Sequence, residues 1–158
     1  MKKFTILFLV RDTEVLLARK KTGLGIGRYN GVGGKVEANE SVEQAMIREC
    51  QEEIRVRPTQ FKPVAEIVFR EFNEGKPYEV HAHAYLAKSW EGIPVETEEM
   101  ATPTWFGIKD LPLNEMWADI PHWLPRVLSG EQLRCEFNLD RNDRIISKGV
   151  ERVSSLDF

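Results

Sequence analysis

Residues 41–54, SVEQAMIRECQEEI, constrain the fold of this chain more than any other stretch. Ser41, with Gln44 three residues on, has the form of a capping box, so a helix is predicted from there to about Glu53 or Ile54. A buried helical stripe recurs at i, i+3, i+4, i+7, i+10 and i+11. From Val42 that template meets Ala45 and Met46, then Glu49, Glu52 and Glu53. The stripe is apolar in its first half and acidic in its second. Ile47, Cys50 and Ile54 form another apolar line, which predicts a helix packed on two sides.

Carboxylates gathered on one side of a helix repel one another. Near the C-terminal end the helix dipole disfavours them as well. A bound divalent cation relieves both penalties, and hard oxygen ligands on one rigid element suit Mg²⁺. Arg48 lies within the cluster and is placed to anchor it from behind, with Glu40 reaching Arg48 from the preceding loop. A solvated, charged helix end is the alternative, and the stripe alone leaves both open.

Around this helix the chain reads as mixed strand and turn. Residues 4–10 and 14–19 are β-rich runs split by Asp12-Thr13, a predicted hairpin. Residues 22–34 hold six glycines, which predicts loop or irregular strand with close backbone approaches. Strands are predicted over residues 64–72 and 78–88, joined by a polar turn, with a short one at 104–108. A second helix is predicted over 121–128, with Gly130 past its end, and a closing hairpin from 133–139 and 144–150 across Arg141-Asn142-Asp143. No repeat or linker divides residues 1–158, so a single α/β sandwich domain is expected.

The formal net charge of −3 argues against a nucleic-acid binder, which would carry a basic face. It leaves a phosphate-bearing small molecule open, since a divalent metal neutralises phosphates locally. The first apolar run stops at Arg11-Asp12 with no small-residue cleavage site after it, and no apolar stretch approaches the ~18 residues of a membrane span. Two cysteines, Cys50 and Cys135, are too few for a disulfide framework; a reducing cytosol is the simpler setting. His81 and His83 share one side of a strand, a conceivable metal pair without an evident third ligand.

The spacing goes further. Gly34, then Glu40 after five residues, then after seven more Arg48-Glu49-Cys50-Gln51-Glu52-Glu53-Ile54-Arg55-Val56, resembles the Nudix box at every charged position. Cys50 stands where an aliphatic residue is usual, and Arg55 where the family has a glycine that ends the helix in the left-handed region. Residues 20–36 (KKTGLGIGRYNGVGGKV), 92–100 (GIPVETEEM), 104–106 (TWF) and 116–119 (MWAD) are similar to the branch of that family that hydrolyses oxidised purine nucleoside triphosphates.

The resemblance implies the Nudix fold: an α/β/α sandwich with a mixed β-sheet and a loop-helix-loop carrying the box. It implies Mg²⁺, with Mn²⁺ as the expected substitute, held by the Gly34 carbonyl, Glu49, Glu52, Glu53 and Glu99. Arg48 would support the catalytic carboxylates, with Glu53 the first choice of general base and Glu99 or Glu52 next. Asn30, Trp117 and Asp119 would hold the base, Lys20 would lie near the phosphates, and Thr5 and Phe69 would line the pocket. Leu24 replaces an aromatic residue of that branch, and Ile120 replaces a second aspartate after Asp119, which implies a narrower or altered base preference. The implied reaction gives a nucleoside monophosphate and pyrophosphate, in a monomeric cytoplasmic enzyme that cleanses the nucleotide pool and has no nucleic-acid or membrane partner. ADP-ribose, a dinucleoside polyphosphate or an ordinary NTP is the alternative substrate, and a non-catalytic binding module the alternative class.

Overall fold

A computed structural model describes residues 2–158. The first hairpin forms as predicted: β1 (Lys2–Arg11) and β2 (Glu14–Arg19) pair antiparallel at Val10↔Val15 and Arg11↔Glu14. Beyond those residues the two strands diverge, and the glycine-rich segment fills the wedge between them. Its two-residue strand β3 (Tyr29–Asn30) pairs with β2, and Val32 and Lys35 bridge to Leu7 and Phe4 of β1. The approach is close because side chains are missing. A Cβ on Gly31 would meet the Leu7 carbonyl oxygen at 2.5 Å, and one on Gly33 would overlap the Thr5 carbonyl.

The helix α1 (Val42–Ile54) starts at the predicted capping box. The Ser41 hydroxyl accepts from the Gln44 N–H at 3.0 Å, and the Gln44 side chain accepts from the Ser41 N–H at 2.8 Å. It ends on Arg55, which adopts the left-handed conformation (φ 62°, ψ 34°) that favours glycine.

The long hairpin β4 (Arg57–Asn73) and β5 (Lys76–Glu91) turns at Glu74-Gly75, both at positive φ, as a tight two-residue turn requires. Both strands outrun the predicted 64–72 and 78–88. Pro58 and Pro63 lie in the added length of β4, and the register shifts beside each. There follow β6 (Thr104–Gly107), a single 3-10 turn (Leu113–Glu115), α2 (Ile120–Leu128), and the closing hairpin of β7 (Gln132–Leu139) with β8 (Ile145–Val153). The sheet runs β3-β2-β1-β5-β4-β7-β8, with β6 on the outer side of β2. The pairs β1/β5 and β4/β7 are parallel and the others antiparallel, so the sheet is mixed.

Side-chain alternation assigns the two faces. Leu7 and Leu9 of β1, Leu16 and Ala18 of β2, and Tyr85 and Ala87 of β5 pack against Met46, Cys50 and Ile54 of α1. The intervening Phe8, Val15, Leu17, Ala84 and Leu86 pack against Ile120, Trp123, Leu124 and Val127 of α2. One helix covers each face, which is the α/β/α sandwich. Ile47 is only half-buried, so the second apolar line of α1 is anchored by Cys50 and Ile54.

Candidate active site

The wedged segment carries the Gly33 N–H to α1, where it donates to Glu53 Oε1 at 2.7 Å. A Cβ on Gly34 would meet the Glu49 carboxylate at 2.5 Å, so glycine there leaves room for the acid. Glu99 arrives on the loop before β6. Thr97 fixes that loop: its hydroxyl donates to the Glu53 carbonyl at 2.8 Å and accepts from the Glu99 and Met100 N–H groups at 3.2 and 3.3 Å. The Lys21 N–H donates to the Glu99 carbonyl at 2.9 Å. One carboxylate oxygen from each of Glu49, Glu53 and Glu99 lies within 4.8 Å of the others.

The three differ in exposure: Glu53 is buried, Glu49 half-buried and Glu99 exposed. Burial pushes the Glu53 carboxyl up to about 7; the Gly33 N–H and the Lys20 charge oppose this, and Glu49 and Glu99 reinforce it. Burial also raises Glu49, against the pull of Arg48. Adjacent carboxylates of this kind hold either a proton or a hard cation. An all-oxygen donor set from one helix and one tied loop fits a divalent ion.

Arg48 organises the surroundings. Its Nε and Nη2 donate to the two Glu40 oxygens at 2.7 and 2.9 Å, and Nη2 also reaches the Lys35 carbonyl at 3.1 Å. That fork holds the Glu40 carboxyl at about 2. Its Nη1 donates to Glu49 at 3.0 Å and to both Glu52 oxygens at 3.3 Å. Glu52 is largely exposed and stands on Arg48, outside the group of three. The Gly34 carbonyl accepts the Thr5 N–H at 2.9 Å, which leaves it a second lone pair.

The residues expected to hold a base gather mainly on the α2 face. Trp117 and Phe69 flank the core there, and Phe69 stacks on Phe137 with centroids 5.7 Å apart. Asp119, at the start of α2, accepts from Trp123 Nε1 at 2.8 Å, and burial raises its carboxyl above the usual range. The Asn30 side-chain Oδ1 accepts from the Gly31 N–H at 2.9 Å. Lys20 is half-buried and lies near enough to Glu53 to act on its charge. Ile120 is 2% exposed, and its side chain belongs to the core with Trp123 and Leu124. Leu24 is 78% exposed on the glycine loop. Thr5 alternates to the α1 side of β1, so it and Phe69 stand on opposite faces of the sheet.

Several contributors escape a reading of residue types. Thr97 has a local signal, a hydroxyl two and three residues before the N–H groups it caps. Arg28, whose guanidinium lies 4.4 Å from the Trp117 ring centroid, and Arg19, which ties the Gly27 carbonyl to Glu115, have none. The two strand histidines are committed elsewhere: His81 pairs with Glu79 at 2.6 Å, and buried His83 packs edge-on to Phe158. Cys50 and Cys135 are buried free thiols.

Comparison with known proteins places this geometry. The NUDIX domain profile matches residues 1–127. The chain is 35% identical over 155 residues to the oxidized purine nucleoside triphosphate hydrolase of Danio rerio, covering 98% of this chain and 97% of that protein. Its identity to the Mus musculus protein of the same name is 34% over 152 residues, 96% of each. Among solved structures, a MutT protein from Bacillus halodurans superposes with a TM-score of 0.79 over 96% of this chain and 98% of that one, at 22% identity. A MutT NUDIX hydrolase from Burkholderia pseudomallei gives a TM-score of 0.63 at 29% identity, over 70% of this chain and 86% of that one. With its box on α1 and its sheet closed by a helix on each face, the chain belongs to the NUDIX family.

Proposed function

We propose that this Nudix hydrolase cleaves an oxidised or methylated purine nucleoside triphosphate to the monophosphate and pyrophosphate, using Mg²⁺. The convergence of Glu49, Glu53 and Glu99, with Glu53 buried and its carboxyl near 7, carries the reading. The near full-length similarity to two proteins named for oxidised purine nucleoside triphosphates supports the substrate class.

Glu49, Glu53 and Glu99 would hold the cation, and the Gly34 carbonyl and Glu52 would complete the metal group; Mn²⁺ would substitute. Bound there, a divalent cation lowers the pKa of water and neutralises phosphate charge. Glu53 is assigned as general base. Its Oε1 is fixed by the Gly33 N–H, which leaves Oε2 to take a proton. Glu99 is the next candidate, ahead of Glu52 on its ion pair with Arg48. Arg48 keeps Glu49 oriented, and Lys20 would meet the phosphates. Trp117 would stack on the base while Asp119 and Asn30 read its edge. The enzyme would act as a cytosolic monomer on free nucleotides.

Turnover in ¹⁸O-water tests the reaction. Attack on the β-phosphorus places the label in pyrophosphate and leaves the monophosphate unlabelled. Label in the monophosphate would show attack at the α-phosphorus, and orthophosphate as the product would overturn the assignment.

A further inference from the structure

The α2 face of the sheet is not fully covered by α2. Beyond the buried Phe8, Ala84 and Ile67, the same strand faces continue through half-buried Ile6, Phe4, Ala82, Val80 and Phe69. This apolar floor, with Trp117 and Asp119 beside it, is where the proposed function puts the base. One residue on it breaks the pattern. Glu71 follows Phe69 by two on β4, so its side chain stands on the same face.

Glu71 is half-buried, and its carboxylate takes part in none of the side-chain hydrogen bonds or ion pairs among the described residues. Burial and the nearby charge of Asp143, on the β7–β8 turn, both raise its carboxyl above the usual range. No cation among the described residues is paired with it. Arg70, on the opposite face, pairs with Glu136 and Glu79, and Arg141 lies over the Phe72 ring, also on that face. The Lys2 ammonium sits 5.6 Å from the Tyr78 ring centroid. Directly across the ladder from Glu71 is Tyr78, on the same face, with its hydroxyl buried and without a partner. An apolar floor on which the Glu71 carboxylate and the Tyr78 hydroxyl both lack partners is an arrangement completed by a polar edge on the ligand.

We propose that Glu71 is a specificity-determining residue that accepts a hydrogen bond from an N–H on the edge of the base remote from Asp119. The groove then favours purines that present donors on two edges, as 8-oxoguanine does through its exocyclic amine and its N7–H. This rests on the base occupying the Trp117 groove, and the test separates the two claims.

The experiment is steady-state kinetics on 8-oxo-dGTP, 8-oxo-dITP (amine removed) and dGTP (N7–H removed), with wild type, Glu71→Leu, Glu71→Gln, Asp119→Asn and Trp117→Ala. In the wild type, deleting the donor that Glu71 reads lowers kcat/KM by about tenfold or more. Glu71→Leu abolishes that discrimination while leaving the donor-deleted substrate within about twofold of wild type. Asp119→Asn abolishes discrimination for the other donor. If Glu71→Leu and Glu71→Gln scale all three substrates by one factor, or alter none, while Trp117→Ala raises every KM, the Glu71 assignment is wrong and the groove stands. If Trp117→Ala leaves every KM unchanged, the groove is not where the base binds and the proposal falls with it. Thermal melts show that the variants are folded; loss of an unpaired half-buried carboxylate is expected to leave the midpoint unchanged or higher.

Discussion

Under the proposed function, Glu53 ties stability to catalysis in one residue. In the metal-free protein its carboxyl titrates at about 7 rather than at the ordinary 4.5, so between those values the folded state holds a proton that the unfolded state has released. Stability from this group is therefore full below about pH 4.5 and is lost as pH rises through about 7, on the order of 3 kcal/mol. Urea unfolding in EDTA at about pH 5 and about pH 8 should show that loss, and Glu53→Gln should flatten it; an unchanged pH difference in the variant would refute the burial of a protonated acid. The same substitution is expected to reduce kcat by about a thousandfold or more with the fold intact. Arg55 is a second test at this scale. It stands at φ 62° where glycine is at ease, so Arg55→Gly should raise stability by about 0.5–1 kcal/mol in urea titrations. Both residues were legible from the box, Arg55 as one of its two irregular positions. Ile120 was legible only by identity: nothing in the sequence said that its side chain turns into the core rather than toward the base. Thr97 was hidden because hydroxyls two residues from acids are commonplace on loops.

At the scale of elements, capping located the start of α1 and periodicity its end to within a residue, and alternation located the central strands. The prediction fell short over residues 57–63, since Pro58 and Pro63 argue against a central strand and are accommodated here by register shifts that the sequence does not advertise. The glycine-rich run could be read as irregular, but its place in the wedge between β1 and β2 depends on pairings distant in sequence. That placement makes a sharp demand on Gly33, whose missing side chain lets the segment lie on Thr5 and aim its N–H at Glu53. Gly33→Ala should lift the segment from β1. Calorimetric Mn²⁺ titration is expected to show affinity at least about tenfold weaker while circular dichroism retains the native spectrum. Native affinity would mean that the Gly33 contact does not shape the carboxylate group.

Across the whole molecule, the sheet separates two groups of residues. The carboxylates stand with α1 on one face, while Trp117, Asp119 and Phe69 stand with α2 on the other, and the wedged segment lies between them. In the proposed binding mode the phosphates would pass around that segment, beside Lys20. The division implies separable kinetics: Trp117→Ala should raise KM with kcat nearly kept, and Glu53→Gln should lower kcat with KM nearly kept. Steady-state rates that moved together in both variants would show that the faces do not divide the work. The most direct single measurement is pyrophosphate release from 8-oxo-dGTP, 2-hydroxy-dATP, O6-methyl-dGTP, dGTP, dATP and ADP-ribose, with Mg²⁺ and with EDTA. The expected result is kcat/KM at least about tenfold higher for an oxidised or methylated purine than for its ordinary counterpart, and no turnover in EDTA. Equal rates for ordinary and modified purines, preference for ADP-ribose, or turnover that survives EDTA would contradict it.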